Sequence, residues 1–175
     1  MIIYCSKKLE AFLGKIASTN NQGEPSPFGD WNGHSFTINR RNCLIFMNNK
    51  TCYSVVMTCV LKKDVKDFEL VFRERLIRQL VHDLELDEGQ VVKIVGEFGD
   101  ILLSRSNNDK KIIGSINLQV DNLKHNNYGA GFESWNDIEV TGILNRHLLG
   151  TKIVANNKAS GDFFRPIDLI AELVE

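Results

Sequence analysis

The spacing of hydrophobic and polar positions predicts a group of strands early in the chain. Three apolar runs lie between residues 35 and 60, and polar separators of hairpin length divide them. Phe36 and Ile38 alternate with Thr37 and Asn39, which is the period of a half-buried strand. The pattern therefore predicts a three-stranded antiparallel meander over residues 35–60.

Other segments predict two added strands and several helices. Short apolar segments near residues 2–5 and 101–105 favour strands. From Val65 to Leu84 the apolar residues recur every three or four positions, which predicts a long helix with Asp64 as its cap. Further helices, for a total of about five or six, are expected to start near Ser6, Asp87, Asp109, Asp137 and Pro166.

Together these elements predict an α+β fold. We expect a small antiparallel sheet, made of the meander and the two added strands, with about five or six helices lying mainly on one side of it. The chain is expected to form a single domain over residues 1–175. Variable loops are expected near residues 18–33, 126–136 and 155–162, where Asn, Gly, Ser and other polar residues accumulate.

Composition and charge narrow the class of protein. Hydrophobic residues make up 43% of the chain and charged residues 25%, which is typical of a globular protein. The net charge of −1 gives no general attraction to nucleic acid or to an anionic membrane, so anion binding requires a local cluster. The apolar runs are far shorter than the ~20 residues of a membrane span, and no signal peptide pattern is present. A cytoplasmic protein without a membrane interaction is predicted.

The cysteines and histidines lack the spacing of metal ligands or of a disulfide framework. The cysteines are Cys5, Cys43, Cys52 and Cys59. The histidines are His34, His82, His125 and His147. We expect buried thiols, no metal site and no cofactor.

The most suggestive candidate binding site is the turn between the first two strands of the meander. The arginines Arg40 and Arg41 adjoin there, beside Asn39. Arginine binds phosphate and carboxylate oxygens in pairs, and an aromatic face such as that of Trp31 stacks on bases or guanidinium groups. The alternatives are a solvated hairpin tip, or an arginine held by Asp30 or by a helix C-terminus.

Lysine pairs near the expected helix starts are interpreted differently. A positive charge opposes the helix dipole at that end, so such a pair is expected to be hydrated surface and not part of a pocket. Lys7-Lys8, Lys62-Lys63 and Lys110-Lys111 are the pairs concerned.

A catalytic arrangement is a weaker hypothesis. Asp30 and His34, with Cys43 or Cys52 nearby, are the residue types of an orienting acid, a base and a nucleophile. Their spacing matches no local catalytic motif, and a turn-forming aspartate with a surface histidine is the simpler interpretation. No residue is therefore assigned as catalytic.

Several segments resemble one known family in the same order along the chain. They are Tyr4-Cys5-Ser6-Lys7-Lys8-Leu9, Gly29-Asp30-Trp31, Phe36-Thr37-Ile38-Asn39-Arg40-Arg41, Cys43-Leu44-Ile45-Phe46, Leu102 to Asn107, Gly114-Ser115-Ile116-Asn117, Leu144-Asn145-Arg146 and Arg165-Pro166-Ile167. The family is an uncharacterised one of bacterial and phage proteins, met in plasmid and other mobile-element genes. The resemblance implies this fold outline and a mobile-element context, but it brings no established activity.

The leading hypothesis is a non-enzymatic binding or interaction protein of a mobile element. Its partner would be a protein or a small anionic ligand, because the net charge does not support nucleic acid binding. A homo-oligomer is compatible with the sequence. The alternative is a small nucleotide- or nucleic-acid-directed enzyme. Its catalytic groups would be residues outside any recognisable motif, such as Asp30, His34, Glu74 or His125.

Overall fold

The computed structural model describes residues 1–14, 26–125, 132, 135–150 and 163–174. Within these ranges the predicted α+β class is confirmed. The strands are β1 (Ile2–Cys5), β2 (Trp31–Ile38), β3 (Arg41–Asn48), β4 (Ser54–Met57), β5 (Leu102–Arg105), β6 (Leu149–Gly150) and β7 (Phe163–Phe164). The α-helices are α1 (Lys7–Leu13), α2 (Phe68–Leu84), α3 (Glu88–Glu97), α4 (Lys110–His125), α5 (Asp137–Arg146) and α6 (Pro166–Val174).

Most of the predicted loop positions lie outside the described residues. Of the loop expected near 18–33, residues 26–33 are described: residues 26–30 belong to no helix or strand, as expected, whereas residues 31–33 belong to β2, so the predicted loop is too long at its end. Residues 126–131, 133, 134 and 155–162 lie outside the described residues.

The main sheet has five strands in the order β4-β3-β2-β1-β5. The predicted meander is confirmed, because β2 pairs antiparallel with β3, and β3 pairs antiparallel with β4. By contrast, β1 lies parallel to both β2 and β5, so the sheet is mixed and not wholly antiparallel. A parallel pair needs a long connection between its two strands. The connection from β1 to β2 contains α1, and the chain between β1 and β5 includes α2 and α3.

Helices pack on both faces of this sheet, whereas the sequence pattern favoured one. On one face Phe46 of β3 packs with Phe72 of α2 in a core that also includes residues of α1 and α6. On the other face Ile45 belongs to a core with Ile116 of α4 and residues of α5. Residues 43–48 of β3 are all buried, and neighbouring side chains of a strand point to opposite faces. A strand that is apolar on both faces needs a layer on each.

The long helix α2 places its predicted apolar stripe on the sheet. Phe68, Phe72, Leu76 and Leu80 are all buried. The prediction that Asp64 caps this helix is wrong, because α2 begins after Asp67. Asp64 lies in a preceding 3-10 turn, where its carboxylate accepts the backbone N–H of Leu61 at 2.8 Å. Asp64 therefore satisfies a backbone donor of this short turn, and it does not cap the helix to which the pattern assigned it.

The outer strand β4 is covered along its edge by α5. Acceptor side chains on α5 are spaced one helical turn apart. They bond to backbone N–H groups that are two residues apart along β4 and the residue that follows it. The bonds are Thr58 to Asp137 at 3.0 Å, Val56 to Thr141 at 3.3 Å and Ser54 to Asn145 at 2.8 Å. Four helical residues rise ~6.0 Å and two strand residues advance ~6.6 Å, so the two spacings match. The helix thereby closes an edge that another strand could otherwise join.

Candidate anion-binding site

The strand β2 extends well beyond the end of its parallel neighbour. The pairing of β1 with β2 ends where Cys5 lies opposite Gly33, whereas β2 continues to Ile38 and stays bonded to β3 on its other side. Within the described ranges no strand lies on the β1 side of residues 34–38. We call residues 34–38 the β2 overhang.

The backbone of the β2 overhang presents hydrogen-bonding groups toward the side where β1 has ended. The Ser6 N–H donates to the Gly33 carbonyl at 2.9 Å, so the peptide groups of Gly33 face β1. Peptide groups alternate in direction along a strand, and a residue's N–H and C=O point to the same side. The N–H and C=O groups of Ser35 and Thr37 therefore face the same side as those of Gly33.

A cavity of about 590 Å³ lies beside the β2 overhang. Residues 34–37 of the overhang form one wall, and Lys8 at the start of α1 forms a second. Asn117, Asp121 and Lys124 of α4 belong to the third wall. The volume lies within the ~300–1,000 Å³ range of small-molecule sites, and the lining is more polar than in most of them.

The turn from β1 into α1 holds the second wall in place. The Oγ of Ser6 accepts the Leu9 N–H at 3.3 Å, which confirms the predicted cap of α1. The same Oγ lies 3.0 Å from Nδ1 of His34. A Cβ at Gly33 would lie only 2.6 Å from Leu9, so glycine allows α1 to pack closely on β2. Lys8 is thereby fixed beside the β2 overhang.

The helix α4 supplies the third wall. Asp109 precedes it, and its carboxylate accepts the Ile112 N–H at 3.3 Å. Buried positions at helical spacing hold α4 against the sheet: Ile112, Ile116, Val120 and Leu123. Asn117, Asp121 and Lys124 are exposed and follow each other by one turn, so they share one flank of the helix. This flank faces the cavity.

The cavity carries a local positive charge. Burial lowers the pKa of His34, and the positive charges of Lys8 and Lys124 lower it further. The imidazole is therefore neutral at pH 7, and its Nδ1 can accept the proton of the Ser6 hydroxyl. With neutral His34, the two lysines and Asp121 leave one excess positive charge. A cavity of this charge favours a ligand with a single negative charge.

The predicted Asn39-Arg40-Arg41 turn joins β2 to β3. Asn39 and Arg40 have φ angles of 46° and 63°, the signs found at both central positions of a type I′ hairpin turn. Glycine is preferred at the second of these positions, so Arg40 holds its backbone in a conformation that is costly for a residue with a side chain. Asn39, Arg40 and Arg41 are all exposed. The turn begins two residues after Thr37, at the far end of the cavity wall.

Trp31 lies apart from this turn. It is the first residue of β2, and about 26 Å of extended chain separates it from Asn39. Its side chain is fully buried and packs edge-on against Phe72, with 5.5 Å between ring centroids and 81° between ring planes. The indole joins β2 to α2, so the four residues predicted as one binding site do not form one surface.

Asp30 and His34 do not form the hypothetical catalytic pair in the described hydrogen bonds. The Asp30 carboxylate accepts the Ile2 N–H at 3.2 Å and the Tyr4 hydroxyl at 3.5 Å, which ties it to β1. His34 bonds to Ser6 instead. The interpretation of Asp30 as a structural aspartate is the one that fits these contacts.

The thiols do not suit a nucleophile. Burial raises the pKa of Cys43 to about 11 and that of Cys52 to about 12, so both stay protonated at pH 7. Cys5 is also buried, as expected, but Cys59 is exposed. Cys59 follows the end of β4 with a φ of 53°.

The remaining acid and base candidates are dispersed. Glu74 lies on an exposed part of α2, 3.7 Å from Arg78. The ring nitrogen Nδ1 of His125 donates to the Asp121 carbonyl at 2.8 Å. Across the described ranges, no group of three or more His, Cys, Asp or Glu residues could hold a metal ion. No helix in the described part of the chain is both long and apolar enough to cross a membrane.

Comparison with protein families gives one match that covers most of the chain. The family model described as Domain of unknown function (DUF6933) matches residues 2–169. The chain belongs to this family. No curated protein and no solved structure matches it.

The match to this family of unknown function includes the whole candidate site, from Lys8 to Lys124. The site residues predicted from sequence, Asn39, Arg40 and Arg41, include neither lysine, and the expectation that Lys7-Lys8 belongs to no pocket is wrong for Lys8. Lys8 resembles any lysine at a helix start, and Lys124 resembles any lysine on an exposed helix flank. The signal that joins them is the unequal length of β1 and β2, which becomes informative only when the two strands are known to pair.

Proposed function

We propose that the chain is a non-enzymatic binding protein whose cavity beside the β2 overhang takes a small anionic ligand. The observation that carries this proposal is the convergence of Lys8, Lys124 and a neutral His34 on one cavity. Ammonium groups form short, charge-assisted hydrogen bonds to carboxylate and phosphate oxygens. A local cluster of this kind is what a chain with a net charge of −1 needs in order to bind an anion.

The Asn39-Arg40-Arg41 turn is proposed to assist at the far end of the cavity. It lies just beyond Thr37 and carries two adjacent guanidinium groups. The hairpin holds their backbone in a defined position, which favours them over basic side chains on a loop. In this proposal Lys8 and Lys124 hold the anion, and the arginines bind a second acidic part of the ligand.

We also propose a cytoplasmic location and an origin in a mobile genetic element. The four cysteines are free thiols, which suits a reducing compartment. The mobile-element context is supported by the resemblance of the segments near Ser6, Arg40 and Gly114 to bacterial and phage proteins of plasmids.

Thermal shift against a panel of small anions tests the binding proposal. The panel contains phosphate, acetate, N-acetylglycine and AMP, and the proteins are the wild type, Lys8→Gln, Lys124→Gln and the double variant. We expect a ligand-dependent rise in melting temperature that weakens in each single variant and disappears in the double variant. Lys66→Gln, at an exposed lysine on another part of the chain, is the matched control. An equal response in the double variant, or no response to any anion, would refute the proposal.

One contact favours a second candidate function, a small enzyme that acts on nucleotides. The Ser6 hydroxyl and Nδ1 of neutral His34, 3.0 Å apart, have the relationship of a nucleophile and its base. Covalent labelling with a fluorophosphonate, located by mass spectrometry, tests it. Ser6→Asn keeps the helix cap and removes the hydroxyl. Labelling of Ser6 that the variant abolishes would support an enzyme, and an unlabelled wild type would exclude this role for the pair.

A further inference from the structure

The cavity continues the line of β1, which makes it suitable for an extended chain. The β2 overhang contributes four consecutive residues, 34–37, to the cavity wall. Two of them, Ser35 and Thr37, direct their backbone N–H and C=O groups to the side of β2 that β1 occupies lower in the sheet. These backbone groups are spaced as in hydrogen bonding between two strands. A compact ion such as acetate cannot bond to groups spaced in this way.

We propose that the anionic ligand is the carboxyl terminus of a peptide, which adds a short strand antiparallel to the β2 overhang. This inference rests on the proposed function and names its ligand. Addition of an extended peptide to a free strand edge is a known mode of recognition, in which backbone bonds supply affinity and side-chain sites supply specificity. The distance from residue 34 to residue 37 is ~10 Å, which accommodates about three peptide residues.

The position of the charges sets the direction of the peptide. Lys8 and Lys124 both act on His34, which is the overhang residue nearest the end of β1. The terminal carboxylate therefore lies at this end of the cavity. The peptide must then arrive from the Thr37 end and run opposite to β2. Its preceding residues approach Arg40 at the β2–β3 turn, where an acidic side chain is favoured.

The size of the charge favours a carboxylate over a phosphate group. Asp121 lies on the same cavity wall as Lys124 and reduces the excess positive charge to one. A terminal carboxylate carries one negative charge, whereas a phosphate group carries nearly two at pH 7. Asp121 also repels a second acidic group inside the cavity, so the acidic side chain of the ligand belongs at the turn.

The outer edge of β4 supports the same interpretation. At β4, side chains of Asp137, Thr141 and Asn145 bond to the outward backbone N–H groups and close the edge. At the β2 overhang, a polar cavity with two lysines takes the place of such a cover. Exposed strand edges are usually blocked in native proteins, so an edge that opens into a charged cavity is suited to a partner.

Peptide binding measured by calorimetry tests this inference. The probes are an acetylated tetrapeptide mixture, Glu followed by three randomised apolar residues, with a free carboxyl terminus, and the same mixture with an amidated terminus. We expect the free acid to bind about tenfold more tightly than the amide, because the lysines contact the carboxylate. Lys8→Gln with Lys124→Gln should remove this difference. Replacing the peptide glutamate by glutamine should weaken binding to the wild type but not to Arg40→Gly.

Backbone pairing is tested separately with the tightest-binding tetrapeptide of the free-acid mixture, which is N-methylated in turn at each of its last three residues. Methylation at a position that bonds to Ser35 or Thr37 should weaken binding about tenfold, and methylation at the alternate position should change it less than about twofold. Equal effects at all positions, or peptides that bind no better than acetate, would overturn the inference while leaving the proposed anion site intact. If acetate, phosphate and peptides all fail to bind, the proposed function fails as well.

Discussion

The side-chain amide of Asn145 bonds to the backbone of Ser54 as a neighbouring strand would. Its Oδ1 accepts the Ser54 N–H at 2.8 Å, and its Nδ2 donates to the Ser54 carbonyl at 3.1 Å. The same Nδ2 also donates to Asp83 at 3.1 Å. A helix residue thus closes the β4 edge and joins it to α2, while the β2 overhang on the other side of the sheet borders a cavity.

Replacing this amide should destabilise the protein strongly. Asn145→Ala leaves the buried N–H and C=O of Ser54 without these partners, and we expect a cost of about 2–4 kcal/mol in the free energy of unfolding. Urea denaturation measures it. Asn117→Ala removes the same atoms from an exposed helix position, and its effect should stay within about 0.5 kcal/mol. Similar costs for the two variants would show that the Asn145 bonds contribute no net stability.

A buried carboxylate makes stability depend on acidic pH. Asp83 accepts side-chain bonds from Tyr53 at 2.7 Å, Gln79 at 3.0 Å, Asn145 at 3.1 Å and Arg146 at 2.7 Å, and Nδ1 of His82 lies 3.2 Å from it. Burial by itself would raise the pKa of Asp83, but these hydrogen bonds outweigh it and hold the pKa below the ordinary value of 3.8. The bonds favour the ionised form that the folded state contains.

The resulting stability is fully present above pH 3.8 and is lost as the pH falls from there through the lower pKa of the folded state. Denaturation as a function of pH should show this loss in the wild type. Asp83→Asn, which has no carboxyl group to protonate, should be less stable at pH 7 and should lose less stability in the acidic range. Parallel pH profiles for the two proteins would contradict the assignment.

The contact between α2 and the sheet gives a direct test of the core. Phe72 is fully buried and meets Trp31 and Phe46, with ring centroids 5.5 Å and 5.0 Å away. Phe72→Ala should cost about 3–5 kcal/mol in the free energy of unfolding. Leu70→Ala, two residues away on the same helix but 66% exposed, should cost less than about 0.5 kcal/mol. A cost below 1 kcal/mol for Phe72→Ala would remove Phe72 from the core.

The sequence predicted those parts of the fold that depend on local periodicity. The meander and the stripe that includes Phe72 follow from hydrophobic spacing, and the start of α1 follows from Ser6 as a cap. The parallel pairing of β1 did not, because strand direction depends on how long connections cross the sheet. The cover on both faces is indicated by the unbroken apolar run of residues 43–47, whereas the prediction placed the helices mainly on one side of the sheet.

The site was less predictable because it is assembled from distant segments. The turn at Arg40 could be found, since its length and polarity are local features. Trp31 could not be separated from it, because a tryptophan beside a loop and a tryptophan at the start of a buried strand look alike in sequence. Lys8 and Lys124 are brought together only by the packing of α1 and α4 around the β2 overhang.

Arg40→Gly separates binding from stability at the turn. The positive φ of 63° is unfavourable for arginine and easy for glycine, so the variant should keep or gain up to about 1 kcal/mol of stability. Its affinity for an acidic ligand should fall, because one guanidinium group is lost. Thermal denaturation and calorimetry measure the two effects. Unchanged affinity in this folded variant would remove Arg40 from the site.

The most direct test of the anion site is the pKa of His34, followed by the NMR signal of its ring in a pH titration. We predict a pKa below the ordinary 6.5 in the free protein, because the ring is buried and faces two positive charges. Lys8→Gln and Lys124→Gln should each raise this pKa, and so should saturating acetate, because a bound anion offsets the lysine charges. Lys66→Gln should leave it unchanged. A His34 pKa that neither the lysine substitutions nor any anion alters would contradict the claim that these three residues form an anion-binding site.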